Sequence, residues 1–264
     1  MMPLALTFLL LFLSPNVAFA AGESINNLSH IHQVKVIDTQ ILLGTHEGLF
    51  RYINAGTVER VSPEKFDVMG LSISGKKIYA SGHPGSGSKL PEPVGLLLST
   101  DMGKSWKKIS LQGKVDFHFL EVGKSEIYGG DSGSGDLLYS QDSGKTWINR
   151  GKNIYLDIAI SPTQKGRTLA IGNGKLFTSD DAFKSVEVIK QAPSITSIEW
   201  NSKRLIASSG KDLLVSKDSG KSWTTLYTFK NPIGLLAQSP KMLAAAVGNE
   251  ILISLDEGKT FKKP

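Results

Sequence analysis

The imidazoles of this chain are confined to its first half. His30, His32, His46, His83 and His118 are all the histidines it has, and the carboxylates Glu47, Asp67 and Asp116 lie among them. Imidazole nitrogens joined by carboxylate oxygens suit zinc or copper, and an imidazole that titrates near neutrality also suits acid–base work. The i, i+2 spacing of His30 with His32, and of Asp116 with His118, puts each pair on one side of a strand. Three readings follow from these residue types. In the first, His30, His32, His83 and His118 hold a divalent transition metal, zinc or copper, with Asp67, Asp116 or Glu47 adding oxygen. In the second, Glu47, Asp67 and Asp116 are catalytic acids assisted by the histidines. In the third, all five imidazoles line a wet pocket and hydrogen-bond an anionic ligand. The chain has no cysteine, which excludes thiol catalysis, disulfides and a lipid-modified N-terminal cysteine.

The elements that must position these groups are legible from a repeat. Ser-Thr-Asp-Met-Gly-Lys-Ser-Trp at 99–106 returns as Ser-Gln-Asp-Ser-Gly-Lys-Thr-Trp at 140–147, Ser-Lys-Asp-Ser-Gly-Lys-Ser-Trp at 216–223 and Ser-Leu-Asp-Glu-Gly-Lys-Thr-Phe at 254–261. A worn copy, Ser-Asp-Asp-Ala-Phe-Lys-Ser-Val, occupies 179–186. The aspartates Asp101, Asp142, Asp181, Asp218 and Asp256 are thus 41, 39, 37 and 38 residues apart, the period of a four-stranded repeat unit. In such a turn the aspartate accepts hydrogen bonds from chain N–H groups, glycine takes positive φ, and serine or threonine adds a local bond. The closing aromatic then wedges between neighbouring sheets.

Six units of strand, strand, strand and turn, strand begin near His30, Phe66, Val115, Ile154, Ile195 and Pro232. The expectation is an all-β fold, a six-bladed β-propeller of four-stranded antiparallel blades over residues 21–264. The last blade is short of an outer strand, and the segment from about Ser24 is expected to complete it. Octapeptide turns fall on one face of the disc. The histidines fall on the other, where His30, His32 and His118 begin first strands and His46 and His83 end second strands. Two loops on that face are candidate binding loops, Gly82 to Pro93 and Asp131 to Asp136.

Residues 1–20 read as a signal peptide, with an apolar run from Leu4 to Leu13 and the small residues of Ala18-Phe19-Ala20 at the cleavage end. An exported protein, periplasmic or secreted, is expected, with no transmembrane segment. The formal net charge of +6 comes from lysines scattered through turns, which implies weak attraction to anionic polymers and no specific nucleic-acid binding. A monomer is expected.

The octapeptide resembles the Asp-box, or bacterial neuraminidase repeat, of sialidases, sortilin-type receptors and related β-propellers, which makes Asp101, Asp142, Asp218 and Asp256 structural residues. His-Ile-His at 30–32, Thr-His-Glu-Gly-Leu-Phe at 45–50, Phe-Asp-Val-Met-Gly-Leu-Ser at 66–72, Tyr-Ala-Ser-Gly-His-Pro-Gly at 79–85 and Asp-Phe-His at 116–118 resemble a bacterial family of exported propellers labelled glycosyl hydrolases. That resemblance implies a hydrolase acting on carbohydrate or another envelope component. A sialidase would need three arginines around the substrate carboxylate. Arg51, Arg60, Arg150, Arg167 and Arg204 do not assemble such a triad, Arg60 and Arg150 being expected in outer strands. The alternative class is a non-catalytic propeller that binds a ligand, a metal or a protein partner.

Overall fold

The computed structural model describes residues 22–264, Ala55 excepted. The expected signal peptide lies outside those residues. Six antiparallel sheets follow one another along the chain. Their first strands are Ile31–Ile37, Phe66–Ser74, Phe117–Val122, Asp157–Ile160, Ser197–Trp200 and Ile233–Gln238. These first strands touch one another in cyclic order, the sixth against the first, and so form the wall of a central channel. Each blade then runs outward in sequence order, which is the six-bladed propeller the repeat predicts.

The core lies between blades rather than within one. Every first, second and third strand carries apolar residues that are almost fully buried against the next sheet, as Leu42, Leu49, Phe66, Leu71 and Ile78 are between blades one and two. Ring closure uses the same means. Val34, Val36, Ile41, Leu43 and Phe50 of blade one pack on Ala237, Met242, Ala244 and Ile251 of blade six. Ser239 Oγ donates to the Asp38 carbonyl at 2.5 Å across the same seam.

The seam corrects one expectation. Glu23–Ser24 pairs with Thr57 and Val58 and forms a fifth, outermost strand on blade one, not the missing strand of blade six. The outer position of blade six is taken by the C-terminal residues, where Ile253 and Lys262 exchange backbone hydrogen bonds of 2.8 and 3.0 Å. With that edge filled, the N-terminal segment finds the free edge of blade one, where Ile25 N donates to Gly56 O at 2.6 Å.

All five octapeptides fold into one hydrogen-bonded turn. In the second copy Ser140 Oγ donates to Asp142 Oδ1 at 2.8 Å and accepts from Gly144 N at 2.9 Å. Asp142 also accepts from Thr146 N at 2.9 Å and Thr146 Oγ1 at 2.7 Å. Gly144 sits at φ 84°, and a Cβ there would lie 2.2 Å from Leu96 Cδ2 of the preceding blade. Trp147 packs over that same leucine and stacks on Phe117 at 5.0 Å between ring centroids. The worn copy keeps the set, with Ser185 N on Asp181 at 2.9 Å and Phe183 N on Ser179 Oγ at 2.9 Å. Phe183 occupies the glycine position at φ 60°. Its ring packs on Tyr128 and Tyr155, so it supplies the wedge that Val186 at the closing position cannot.

The hydrogen bonds from the Thr146 hydroxyl and amide and from Ser140 hold the Asp142 carboxyl at about 2, below its ordinary 3.8. Its stabilising effect is therefore complete at neutral pH and is lost as pH falls from about 4 through about 2. Asp142→Ala should lower the thermal midpoint by a few degrees at pH 7, and the gap from wild type should close over that acid interval. Equal midpoints at pH 7 would contradict this account of the turn.

Candidate functional site

Backbone irregularity builds the histidine face. The ladder between first and second strands slips between Ile31 and Gln33 in blade one and between Phe117 and Phe119 in blade three. His32 and His118 are the bulged residues, and a bulge re-aims the side chain it carries. Met69 holds the same register position in blade two. Two residues before the bulge stand His30, Asp67 and Asp116. Asp67 is the direct ladder partner of His83. Glycine alone allows that rung: at Gly82, φ 146°, an added Cβ would lie 1.9 Å from the Asp67 carbonyl oxygen.

The five histidines come together as two clusters at neighbouring blade junctions, not as one cluster of five. At the junction of blades one and two, His46 Nδ1 lies 2.8 Å from Asp67 Oδ2 and 3.1 Å from His32 Nε2. His32 Nε2 is also 3.1 Å from Asp67 Oδ1. The His30 ring packs on His32 at 4.5 Å between centroids with the planes tilted by 54°, and the three imidazoles each offer a nitrogen within 4.8 Å of the others. At the junction of blades two and three, Asp116 Oδ2 lies 3.2 Å from His83 Nε2 and 2.7 Å from His118 Nε2. The two junctions repeat one plan. A histidine ending the second strand of one blade meets an aspartate entering the first strand of the next, and a bulge histidine joins them.

Electrostatics distinguish the two. Burial, aided by the His46 and His30 rings, lowers the pKa of His32 against the pull of Asp67. That favours a neutral imidazole with a free lone pair. Burial also works to lower the pKa of His83, but the Glu92 hydrogen bond and the charges of Asp116, Glu92 and Asp67 override it and raise the value. Glu47 stands apart. Its Oε1 accepts from Ser29 N at 3.2 Å and Ser29 Oγ at 2.6 Å. Burial opposes the shift, yet these bonds and those at Glu47 N and Thr45 hold its carboxyl below the ordinary range.

The loops have distinct roles. Gly82 to Pro93 delivers Glu92, whose Oε1 is 2.7 Å from His83 Nδ1, and Ser88 anchors it on Glu64 at 2.5 Å. In the second loop Asp131 accepts from Asp116 N at 3.0 Å and from Ser134 N at 3.0 Å, and Ser132 Oγ donates to Asp116 Oδ2. Every arginine is committed elsewhere. Arg60 donates to the Glu47 carbonyl with its guanidinium over Phe50, and Arg150 lies over Tyr139. Arg51 pairs with Glu59, Arg167 with Asp180 and Arg204 with Gln238. No arginine triad forms among the described residues.

A charged plug in the channel escapes the sequence reading. Lys35 Nζ lies 2.9 Å from Glu199 Oε1 and 3.8 Å from Glu121 Oε2, with Lys35 and Glu199 both 15% exposed. Asp157 completes the group, accepting from Ile198 N at 2.9 Å. The signal was available: Lys35, Glu121 and Glu199 each interrupt an apolar first strand, as in Val34-Lys35-Val36. Burial, with Glu199 and Asp157 nearby, pushes Glu121 well above the carboxylate range even against Lys35, and burial pushes Asp157 up to about 6.

Comparison with solved structures identifies the same architecture elsewhere. A YCF48 protein bound to a D1 peptide is 18% identical, over 92% of this chain and 83% of that one, with a TM-score of 0.54. A chain of a nidogen/laminin complex is 12% identical, over 85% and 93%, with a TM-score of 0.62. A GH74 xyloglucanase from Xanthomonas campestris is 15% identical, over 89% of this chain but 38% of its own length, with a TM-score of 0.55. No protein-family model matches the chain, and neither does any curated protein. At these identities the likeness is one of fold. The chain is a six-bladed β-propeller whose histidines and aspartates gather at two adjacent blade junctions on one face.

Lys35→Met leaves the Glu121, Asp157 and Glu199 carboxylates facing one another without a cation, and should destabilise the protein by about 3–5 kcal/mol in denaturant unfolding. Adding Glu199→Gln should recover part of that loss. In wild type the folded state keeps a proton on Glu121 that the unfolded chain releases, so stability should decline as pH rises from the ordinary glutamate range through neutrality. Glu121→Gln should flatten that decline. A Lys35→Met protein as stable as wild type would remove the plug from the account.

Proposed function

We propose that this protein is an exported Asp-box β-propeller of the bacterial cell envelope that binds a divalent transition metal, zinc or copper, through His30, His32, His46 and Asp67. The observation that carries the reading is the meeting of His32 Nε2, His46 Nδ1 and both Asp67 oxygens at 2.8 to 3.1 Å. Two ring nitrogens and a carboxylate converge on one point, where a shared cation can take the place of the protons that bridge them. Donors about 2.1 Å from a tetrahedral zinc lie roughly 3.4 Å apart, so small outward shifts admit an ion. The lowered pKa of His32 leaves its ring in the form that ligates.

Export rests on the apolar run and small residues of 1–20, and the Asp-box assignment on five octapeptides with a common hydrogen-bond set. The xyloglucanase likeness is one of fold, and the acids expected for a hydrolase are otherwise engaged. Asp67 and Asp116 are held by imidazoles, and Glu47 has a lowered pKa where a glycosidase general acid needs a raised one. Two of the similar propellers were solved with a peptide or a protein, which supports a protein partner on a propeller face.

Elemental analysis of untagged protein, followed by zinc and copper titration, tests the reading. Wild type should bind metal more tightly than about 10 µM, and a His32→Gln, His46→Gln double variant should lose at least 10-fold in affinity. Weaker binding by wild type, or equal binding by the variant, would overturn it.

A further inference from the structure

We infer that the junction of blades two and three is a second divalent transition-metal site, with His83, Asp116 and His118 as ligands and Glu92 as the carboxylate that orients His83. The inference rests on the reading of the first junction as a metal site, because the two repeat one plan, but its own geometry supports it independently.

The Asp116 carboxylate is loaded unevenly. Its Oδ2 meets Ser132 Oγ, His83 Nε2 and His118 Nε2, while Oδ1, buried in a residue only 6% exposed, has no partner at all. A buried carboxylate that meets two imidazole nitrogens through one oxygen and leaves the other oxygen unpartnered is short of a cation. Glu92 supplies the second observation. It sits 2.7 Å from His83 Nδ1 while Nε2 of the same ring faces Asp116. Without a metal, the approach of a carboxylate to each nitrogen is met by an imidazolium. With one, the ring is neutral, donates Nδ1–H to Glu92 and gives its Nε2 lone pair to the ion. This carboxylate–histidine–metal arrangement fixes tautomer and ring angle together. The donor atoms of His83, Asp116 and His118 all lie within 4.8 Å of one another, and three protein ligands leave a coordination position open to solvent.

The rung that pairs Asp67 with His83 joins the two junctions, so the inference makes the rim a two-ion surface. It also gives the long blade-two loop a purpose, since Glu92 belongs to that loop.

Zinc stoichiometry after equilibrium dialysis of untagged protein, wild type against His118→Gln and His32→Gln, separates the possibilities. Each imidazole lies at the rim, and metal-free thermal melts check that both variants fold. Two equivalents in wild type and one in each variant is the expected result. One equivalent in wild type, kept by His118→Gln and lost by His32→Gln, overturns the second site and leaves the first. One equivalent lost by His118→Gln and kept by His32→Gln upholds the second site and overturns the first. One equivalent lost by both makes the rim a single shared site and overturns the proposal, and no zinc in wild type overturns both sites.

Discussion

The constraint on which the molecule depends is that each blade must bury two apolar faces against its neighbours, and on five blades the turn carboxylate of the octapeptide fixes the chain between third strand and closing residue for that packing. Asp142 ties the residue four positions on, by both amide and hydroxyl, back to the end of the third strand. The outer strand can then leave in one direction only, and Trp147 is delivered against the preceding blade. Asp101, Asp181, Asp218 and Asp256 do the same on their blades. Blade one, which has no such turn, is secured instead by the added Glu23–Ser24 strand and by Tyr52, whose hydroxyl accepts from Gly56 N at 2.8 Å.

A ring held from its rim leaves its inner surface free for polar groups. First strands converge there, so side chains from separate blades meet although they are far apart in sequence. Lys35 and Glu199 are an example in the channel. On the histidine face the same convergence joins His46 to Asp67 and His83 to Asp116, each across a blade junction. Bulges at His32 and His118 turn further imidazoles toward those junctions. The junction aspartates thus serve two ends, since each is also the point where one blade is tied to the next.

The fold was legible because its signals are local and repeated. Five octapeptides at near-constant spacing fix the number of strands per blade, and glycine or aspartate in each has a role readable without coordinates. The convergence of the histidines on one face was legible for the same reason. Their division into two clusters was not, because it depends on bulges that shift the ladder by one residue, and no residue type marks a bulge at His32 as against Gln33. Glu92 lay within a loop recognised as long, but pairing it with His83 needed the loop's path. The fate of the N-terminal strand depended on which sheet edge was free, which is a property of the whole ring. The worn octapeptide held a subtler lesson: Phe183 in place of glycine looks like decay, yet its ring replaces the missing aromatic wedge.

The most direct test of the central claim is anomalous diffraction from crystals grown with zinc, recorded on both sides of its absorption edge. A peak about 2.1 Å from His32 Nε2, His46 Nδ1 and an Asp67 oxygen is the expected result. Crystals in which zinc binds only at scattered surface residues, with Asp67 still hydrogen-bonded to His46 and no peak among His32, His46 and Asp67, would contradict the claim.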